Sequence, residues 1–123
     1  MNLTLYHNPH CSKSRRTLEI LREHGLEPRI VEYLKTAPDK PTILELARQL
    51  GKPVETLVRQ NEDVYKQAAG NLPQNDDALA AWLADHPQAL QRPVVVDEDR
   101  GIAVIGRPPE NVFDLLPGPD PAA

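Results

Sequence analysis

A single cysteine in 123 residues decides what can hold this chain together. No internal disulfide can form, so stability must come from a buried core. A chain of this length buries roughly two-thirds of its unfolded surface and needs neither a metal nor a cross-link. The first unit reads β–α–β. Leu3-Thr4-Leu5-Tyr6 is strand-like, and a helical pattern runs from Ser12 to about His24, with Leu18 and Leu21 on one face and Gly25 as its stop. Arg29 to Leu34 reads as a second strand, which predicts a parallel pair joined by a right-handed crossover.

Cys11 falls at the seam between the first strand and the helix, in a polar turn containing Pro9 rather than on an apolar stripe. Helix N-termini carry free N–H groups and partial positive charge, which favour thiolate over thiol. A buried free cysteine acting as a small hydrophobe is the bland alternative, and the polar setting argues for the reactive one. Lys13, Arg15 and Arg16 follow directly. They read either as a solvated helix face or as a positive field beside the sulfur that attracts an anion.

The middle of the chain, from about Pro41 to Leu90, reads as helical. Ile43, Leu46, Ala47 and Leu50 hold helical spacing up to Gly51. A further helix is expected to begin at Val54, Leu57 and Val58, and another, capped within Asn75 to Asp77, carries Leu79, Trp82 and Leu83 to a stop near Pro87. The last unit reads as a strand over Pro93 to Asp97, a turn over Glu98 to Gly101, a strand over Ile102 to Gly106 and a helix over Pro109 to Leu116. Residues 117–123 are expected to form a disordered tail behind a single domain spanning 1–116.

With the hairpin turn centred between Asp99 and Arg100, Val94 faces Ile105, Val96 faces Ala103, and Arg92 faces Arg107 at the open end. Like charges directly opposed are destabilising. An anion between the two guanidiniums would explain the pair, as would splaying into water or pairing with Glu98 or Glu110. Pro93 opens its strand, where proline costs no ladder bond. A cis Arg92–Pro93 peptide would present backbone to the thiol.

Composition narrows the partners. Net charge is −4 and aromatic content 4%, with no aromatic residue woven into a basic cluster, so nucleic acid is not expected as a partner. No apolar run reaches membrane-spanning length, and no basic stretch followed by an apolar run opens the chain. The expectation is a cytoplasmic protein without a membrane partner.

The segment His7-Asn8-Pro9-His10-Cys11-Ser12-Lys13-Ser14-Arg15 resembles the ArsC family of arsenate reductases, which use glutathione and glutaredoxin. The similarity continues through Leu57-Val58-Arg59-Gln60-Asn61, Arg92-Pro93-Val94-Val95-Val96 and Arg107-Pro108-Pro109-Glu110. The resemblance implies an α/β, thioredoxin-like fold: a mixed four-stranded sheet with a helical insertion between the βαβ and ββα units. It implies Cys11 as the nucleophile, Arg59, Arg92 and Arg107 as the oxyanion-binding arginines, His7 and Ser14 as supporting residues, and Pro93 as a cis proline. It also implies no bound cofactor or metal, arsenate or a similar oxyanion as substrate, glutathione as co-substrate and glutaredoxin as partner. Ser12-Lys13 stands where the best-known members carry Gly-Thr.

Other chemistries fit less well. A phosphatase-like C-x5-R loop would need arginine where Thr17 stands, and a C-x-x-C dithiol would need cysteine at Ser14. A zinc site built on His7, His10 and Cys11 lacks a fourth ligand. Two alternatives stay open: a glutathione-dependent thiol reductase of another substrate, and an Spx-like regulator that contacts RNA polymerase.

Overall fold

The computed structural model describes residues 1–68 and 70–116. The expected tail, 117–123, lies outside the described residues. Four strands form one sheet: β1 (Leu3–His7), β2 (Arg29–Glu32), β3 (Val94–Asp97) and β4 (Ile102–Ile105), in the order β2-β1-β3-β4. With β1–α1–β2 before the helical middle and a ββ hairpin with a final helical turn after it, the sheet is mixed and the fold is thioredoxin-like. Among the described residues four α-helices accompany the strands: α1 (Ser12–Glu23), α2 (Lys40–Leu50), α3 (Asp63–Gln67) and α4 (Asp76–Asp85). The chain divides into two compact units, one of residues 1–30 with the segment from Arg92 onward, the other of residues 31–91.

In the first unit the two central strands are buried along their whole length, β1 as Leu3-Thr4-Leu5-Tyr6-His7 and β3 as Val94-Val95-Val96-Asp97. Strands covered on both faces carry near-continuous apolar runs instead of alternation, which is how these sequences read. β1 and β3 pair antiparallel, with Leu5 opposite Val95, and β3 pairs antiparallel with β4. Val94 lies opposite Ile105 and Val96 opposite Ala103, the predicted register. A further bond from Gly106 N–H to the Pro93 carbonyl, 2.9 Å, carries the pairing one step toward the arginines.

Leu3, Leu5, Ile20, Leu21, Val95, Val112 and Leu115 form the core of this unit. α1 supplies Ile20 and Leu21 from one face and ends in a Schellman pattern. Gly25 N–H donates to Arg22 O at 3.0 Å and Leu26 N–H to Leu21 O at 3.0 Å. Gly25 takes φ 74°, a conformation that costs a Cβ-bearing residue energy. The turn of the β3–β4 hairpin is organised by buried Asp97. Its carboxylate accepts from the backbone of Asp99 (3.0 Å) and Arg100 (3.2 Å) and from Arg100 Nε (2.6 Å). Arg100 also donates through Nη2 to the Leu115 carbonyl, fastening the hairpin to the end of the final helical turn.

The second unit is helical. Asp39 caps α2 by accepting from Thr42 N–H at 3.0 Å, and Asn75 caps α4 by accepting from Ala78 N–H at 2.8 Å. α2 and α4 pack together with Ile43, Leu46, Leu79 and Leu83 buried.

Three sequence expectations change. β2 stops at Glu32 instead of Leu34, because the chain turns there: Lys35 and Thr36 N–H both reach the Glu32 carbonyl at 2.9 Å. Tyr33 is apolar-patterned because it is fully buried, not because it alternates along a strand. The helix expected from Val54 is one 3-10 turn, Val54–Leu57, after which Val58 turns extended and bridges Leu90. Backbone bonds from Arg59 N–H to Ala89 O and from Gln91 N–H to Leu57 O, both 2.7 Å, compete with helix continuation there. The final helix is also 3-10, Pro109–Asp114, with Pro108 as its N-cap.

Candidate active site

The site is built on the turn between β1 and α1. Cys11 N–H donates to the Asn8 carbonyl at 3.0 Å, closing a four-residue turn with Pro9 at the position that favours proline. Asn8 is itself buried, and its Oδ1 accepts from His10 N–H at 3.0 Å. Cys11 then serves as the N-cap of α1, in extended conformation at φ −94° and ψ 121°. Its sulfur therefore faces the unpaired amides of the first helical turn.

Ser14 fixes that turn from inside the protein. It is fully buried, and its Oγ lies 2.6 Å from His7 Nδ1 while accepting from Asn8 N–H at 3.1 Å. One hydroxyl thus ties the end of β1, the turn and the start of α1 together. His7 and Ser14 thus meet within the turn that carries Cys11.

The β3–β4 hairpin brings in the positive charge. Arg107 Nη1 lies 3.8 Å from Cys11 Sγ and 3.3 Å from the Arg92 carbonyl oxygen, to which it donates. The open end of the hairpin therefore presents both arginines to the cysteine turn, and both are partly buried. The Arg92–Pro93 peptide is cis, as is Arg107–Pro108. Asn111 Nδ2 donates to the carbonyls of Ile105 and Arg107, each at 3.1 Å, and so holds the strand end that carries Arg107.

These groups set the acidity of the thiol. Burial alone would push the Cys11 pKa up, but the amides of Ser14 and Lys13 and the hydrogen bond and charge of Arg92 outweigh it. The thiol is held below its ordinary value, although no cap bond of ordinary length joins its side chain to the helix. The cysteine is half-buried, so the sulfur is both activated and reachable. A thiolate flanked by guanidiniums and helix amides can attack an electrophile that carries negative charge, because fixed positive charge offsets the repulsion between the two anions.

A match to the ArsC family model covers residues 6–115. The chain belongs to the ArsC family. The uncharacterized protein YfgD of Escherichia coli K12 is 44% identical over 116 residues, covering 91% of this chain and 94% of that protein. An Escherichia coli arsenate reductase is 39% identical over 123 residues, covering 99% of this chain and 86% of its own. Among solved structures, arsenate reductase from Vibrio cholerae superposes with a TM-score of 0.87 at 42% identity, covering 94% of this chain and 98% of that one.

Within this ArsC chain, Cys11, His7, Ser14, Arg92, Pro93 and Arg107 all belong to the first unit. Arg59 belongs to the second. There its Nε lies 3.4 Å from Glu62 Oε1, and its buried Nε and Nη1 make no hydrogen bond to the described residues. Sequence reasoning misses Asn8, Asn111 and Gly106. A Cβ at Gly106 would stand 2.6 Å from Thr17 Oγ1 and 2.8 Å from Pro93 Cγ, so this glycine provides the space in which α1, Pro93 and the base of Arg107 meet. No spacing rule identifies an asparagine or a glycine whose partners lie on another element.

Among the described residues no group of three His, Cys, Asp or Glu gathers to hold a metal, and no helix is long and apolar enough to cross a membrane.

Proposed function

We propose that the protein reduces arsenate to arsenite through Cys11, with glutathione as co-substrate and glutaredoxin as the partner that regenerates the thiol. The observation that carries this reading is the Cys11 sulfur 3.8 Å from the Arg107 guanidinium, with its pKa lowered by helix amides and Arg92. The names of the relatives, arsenate reductases at 38–39% identity over nearly the whole chain, support the choice of oxyanion.

In the first step the Cys11 thiolate attacks arsenic(V), forming an S–As bond as an oxygen leaves as water after protonation. Arg92 and Arg107 hold the remaining arsenate oxygens. Glutathione thiolate then attacks the Cys11 sulfur. The S–As pair of electrons stays on arsenic, which leaves as arsenite, and a Cys11–glutathione disulfide remains. Two thiols have lost the two electrons that arsenic gained. Glutaredoxin attacks the glutathione sulfur and returns Cys11 as thiolate. His7 and Ser14 keep the turn in place throughout.

The test is an arsenate reduction assay with glutathione and glutaredoxin, run beside Cys11→Ser. The expected outcome is turnover in the native protein and none in the variant. Turnover retained by Cys11→Ser would refute the scheme. The pair Ser12-Lys13 favours a second reading, a glutathione-dependent reductase of another substrate. Absence of arsenate turnover together with a reactive, low-pKa Cys11 would select it.

A further inference from the structure

The cluster Lys13, Arg15 and Arg16 is not used up by the arginine pair, and its members behave differently. Arg16 is engaged by two carboxylates, Glu19 at 2.7 Å and Glu23 at 3.1 Å. Arg22 is held by Glu27 at 2.8 Å. Arg15 has no carboxylate partner among the described residues. Its Nη1 donates to the Pro9 carbonyl at 2.9 Å, which pins the guanidinium against the cysteine turn and leaves its other N–H groups without a side-chain partner among the described residues.

Arg15 also stands one helical turn beyond the sulfur. Its N–H donates to the Cys11 carbonyl at 3.0 Å, so Cys11, Arg15 and Arg22 lie along one side of α1 with Leu18 and Glu19 between them. Arg15, Leu18, Glu19, Arg22 and Glu23, with His7 and Pro9 from the turn, line a groove of about 630 Å³ beside the Cys11 position. The size suits a small-molecule site, and the floor of proline and leucine suits the apolar stem of a short peptide.

We infer that this groove is the docking site of the small thiol that resolves Cys11, a carboxylate-bearing tripeptide thiol of the glutathione class, with Arg15 as the residue that binds its carboxylate. The inference rests on the reading that an external thiol completes the reaction at Cys11. The argument is charge complementarity. Among the described residues Arg15 is the groove cation with no carboxylate partner, and a guanidinium recognises a carboxylate through paired charge-assisted hydrogen bonds. A ligand anchored at Arg15 lies one turn of helix, about 5.4 Å of rise, from the Cys11 position, a span that a peptide thiol covers.

The assignment can be tested without arsenate. Glutathione disulfide is mixed with the reduced protein, and formation of the Cys11–glutathione disulfide is followed by mass spectrometry. Cys11 thiolate attacks one sulfur, one new S–S bond forms, and one glutathione thiolate leaves. The same rate is measured with bis(2-hydroxyethyl) disulfide, which has no carboxylate. In Arg15→Gln the ratio of the two rates should fall about tenfold, the equivalent of one charged contact of about 1.4 kcal/mol. Arg15→Lys should recover part of it, whereas Arg16→Gln should leave the ratio as in the native protein. An unchanged ratio in Arg15→Gln overturns the assignment, including the case in which the groove takes a segment of a protein partner instead. An equal fall in Arg16→Gln also overturns it, because a general field rather than a subsite would then explain the rate. Arsenate turnover does not enter the measurement, so this result and the failure of the proposed reduction are distinguishable.

Discussion

Replacing Gly106 with alanine should unsettle both the fold and the thiol, because one methyl group would enter a space that two rigid neighbours already fill. The added Cβ would lie 2.6 Å from Thr17 Oγ1, 2.8 Å from Pro93 Cγ and 3.3 Å from Thr17 Cγ2, against an ordinary contact of about 3.5–4.0 Å. Neither neighbour can move aside alone. Thr17 is fully buried and its hydroxyl donates to the Lys13 carbonyl at 2.8 Å, and Pro93 is a buried ring at the start of β3. The gap must open by shifting α1 against the hairpin end, the two elements that carry Cys11 and Arg107. Overpacking of this kind costs about 1–3 kcal/mol. In urea, with a slope of roughly 1–3 kcal/mol per molar for a small domain, a loss of 2 kcal/mol lowers the midpoint by about 1 M. The Cys11 pKa should move as well, since Arg92, whose hydrogen bond and charge help to lower it, directly precedes Pro93 at that hairpin end. Thr17→Ala in the Gly106→Ala background should restore part of the loss, a coupling of about 1 kcal/mol between residues in contact. An unchanged midpoint, or a double variant in which the two losses simply add, would refute the steric account.

Two further outcomes follow from the charges. Arg92→Ala should raise the Cys11 pKa, because it removes a hydrogen bond and a charge that lower it, and should raise the KM for arsenate in parallel; an unchanged ultraviolet thiolate titration would count against the field described here. Asp97 has a carboxyl pKa held below its usual value, since its hydrogen bonds to Arg100 and to the Arg100 and Asp99 amides outweigh burial. It therefore contributes stability that is present above the unfolded value of about 3.9 and lost as pH falls through the lower folded value. Asp97→Asn should cost roughly 1.5 kcal/mol at neutral pH, the lower end for a charged hydrogen bond because Arg100 is half exposed, and should flatten the acid limb of the stability–pH curve. A variant with the same acid limb as the native protein would place that stability elsewhere.

The parts of this molecule that were legible in the sequence are those whose partners are near in the chain or fixed by period. The Val94-Val95-Val96 run reads as a strand, and the hairpin register follows from a turn centred at Asp99-Arg100. Because register is strict, it places Arg92 beside Arg107, and the 3.3 Å contact between Arg107 Nη1 and the Arg92 carbonyl is the result. The same reasoning put Cys11 at the head of α1, since Pro9 makes the turn and Gly25 closes the helix. Tyr33 and Val58 were misread for one shared reason. Their apolar character reflects burial in the second unit, and burial has no period when the backbone is turning or bridging a single distant residue such as Leu90.

What sequence could not supply is the choice among residues that look alike. Arg15, Arg16 and Arg22 are three arginines on one helix, and chain position alone gives each the same solvated reading. Their difference lies in acids that the fold places within reach: Glu19 and Glu23 take Arg16, Glu27 takes Arg22, and Arg15 is left to the Pro9 carbonyl. The same logic holds for Cys11. A lone cysteine has no direction in a sequence, yet here burial that would raise its pKa is outweighed by amides of its own helix and by an arginine brought from the far end of the chain. The acidity of this one sulfur therefore rests on a balance of local and long-range charge. The local half, the helix amides, is fixed by the β1–α1 turn and would survive loss of either arginine. The long-range half depends on how closely the hairpin end approaches α1, and Gly106 is the residue whose missing side chain permits that approach.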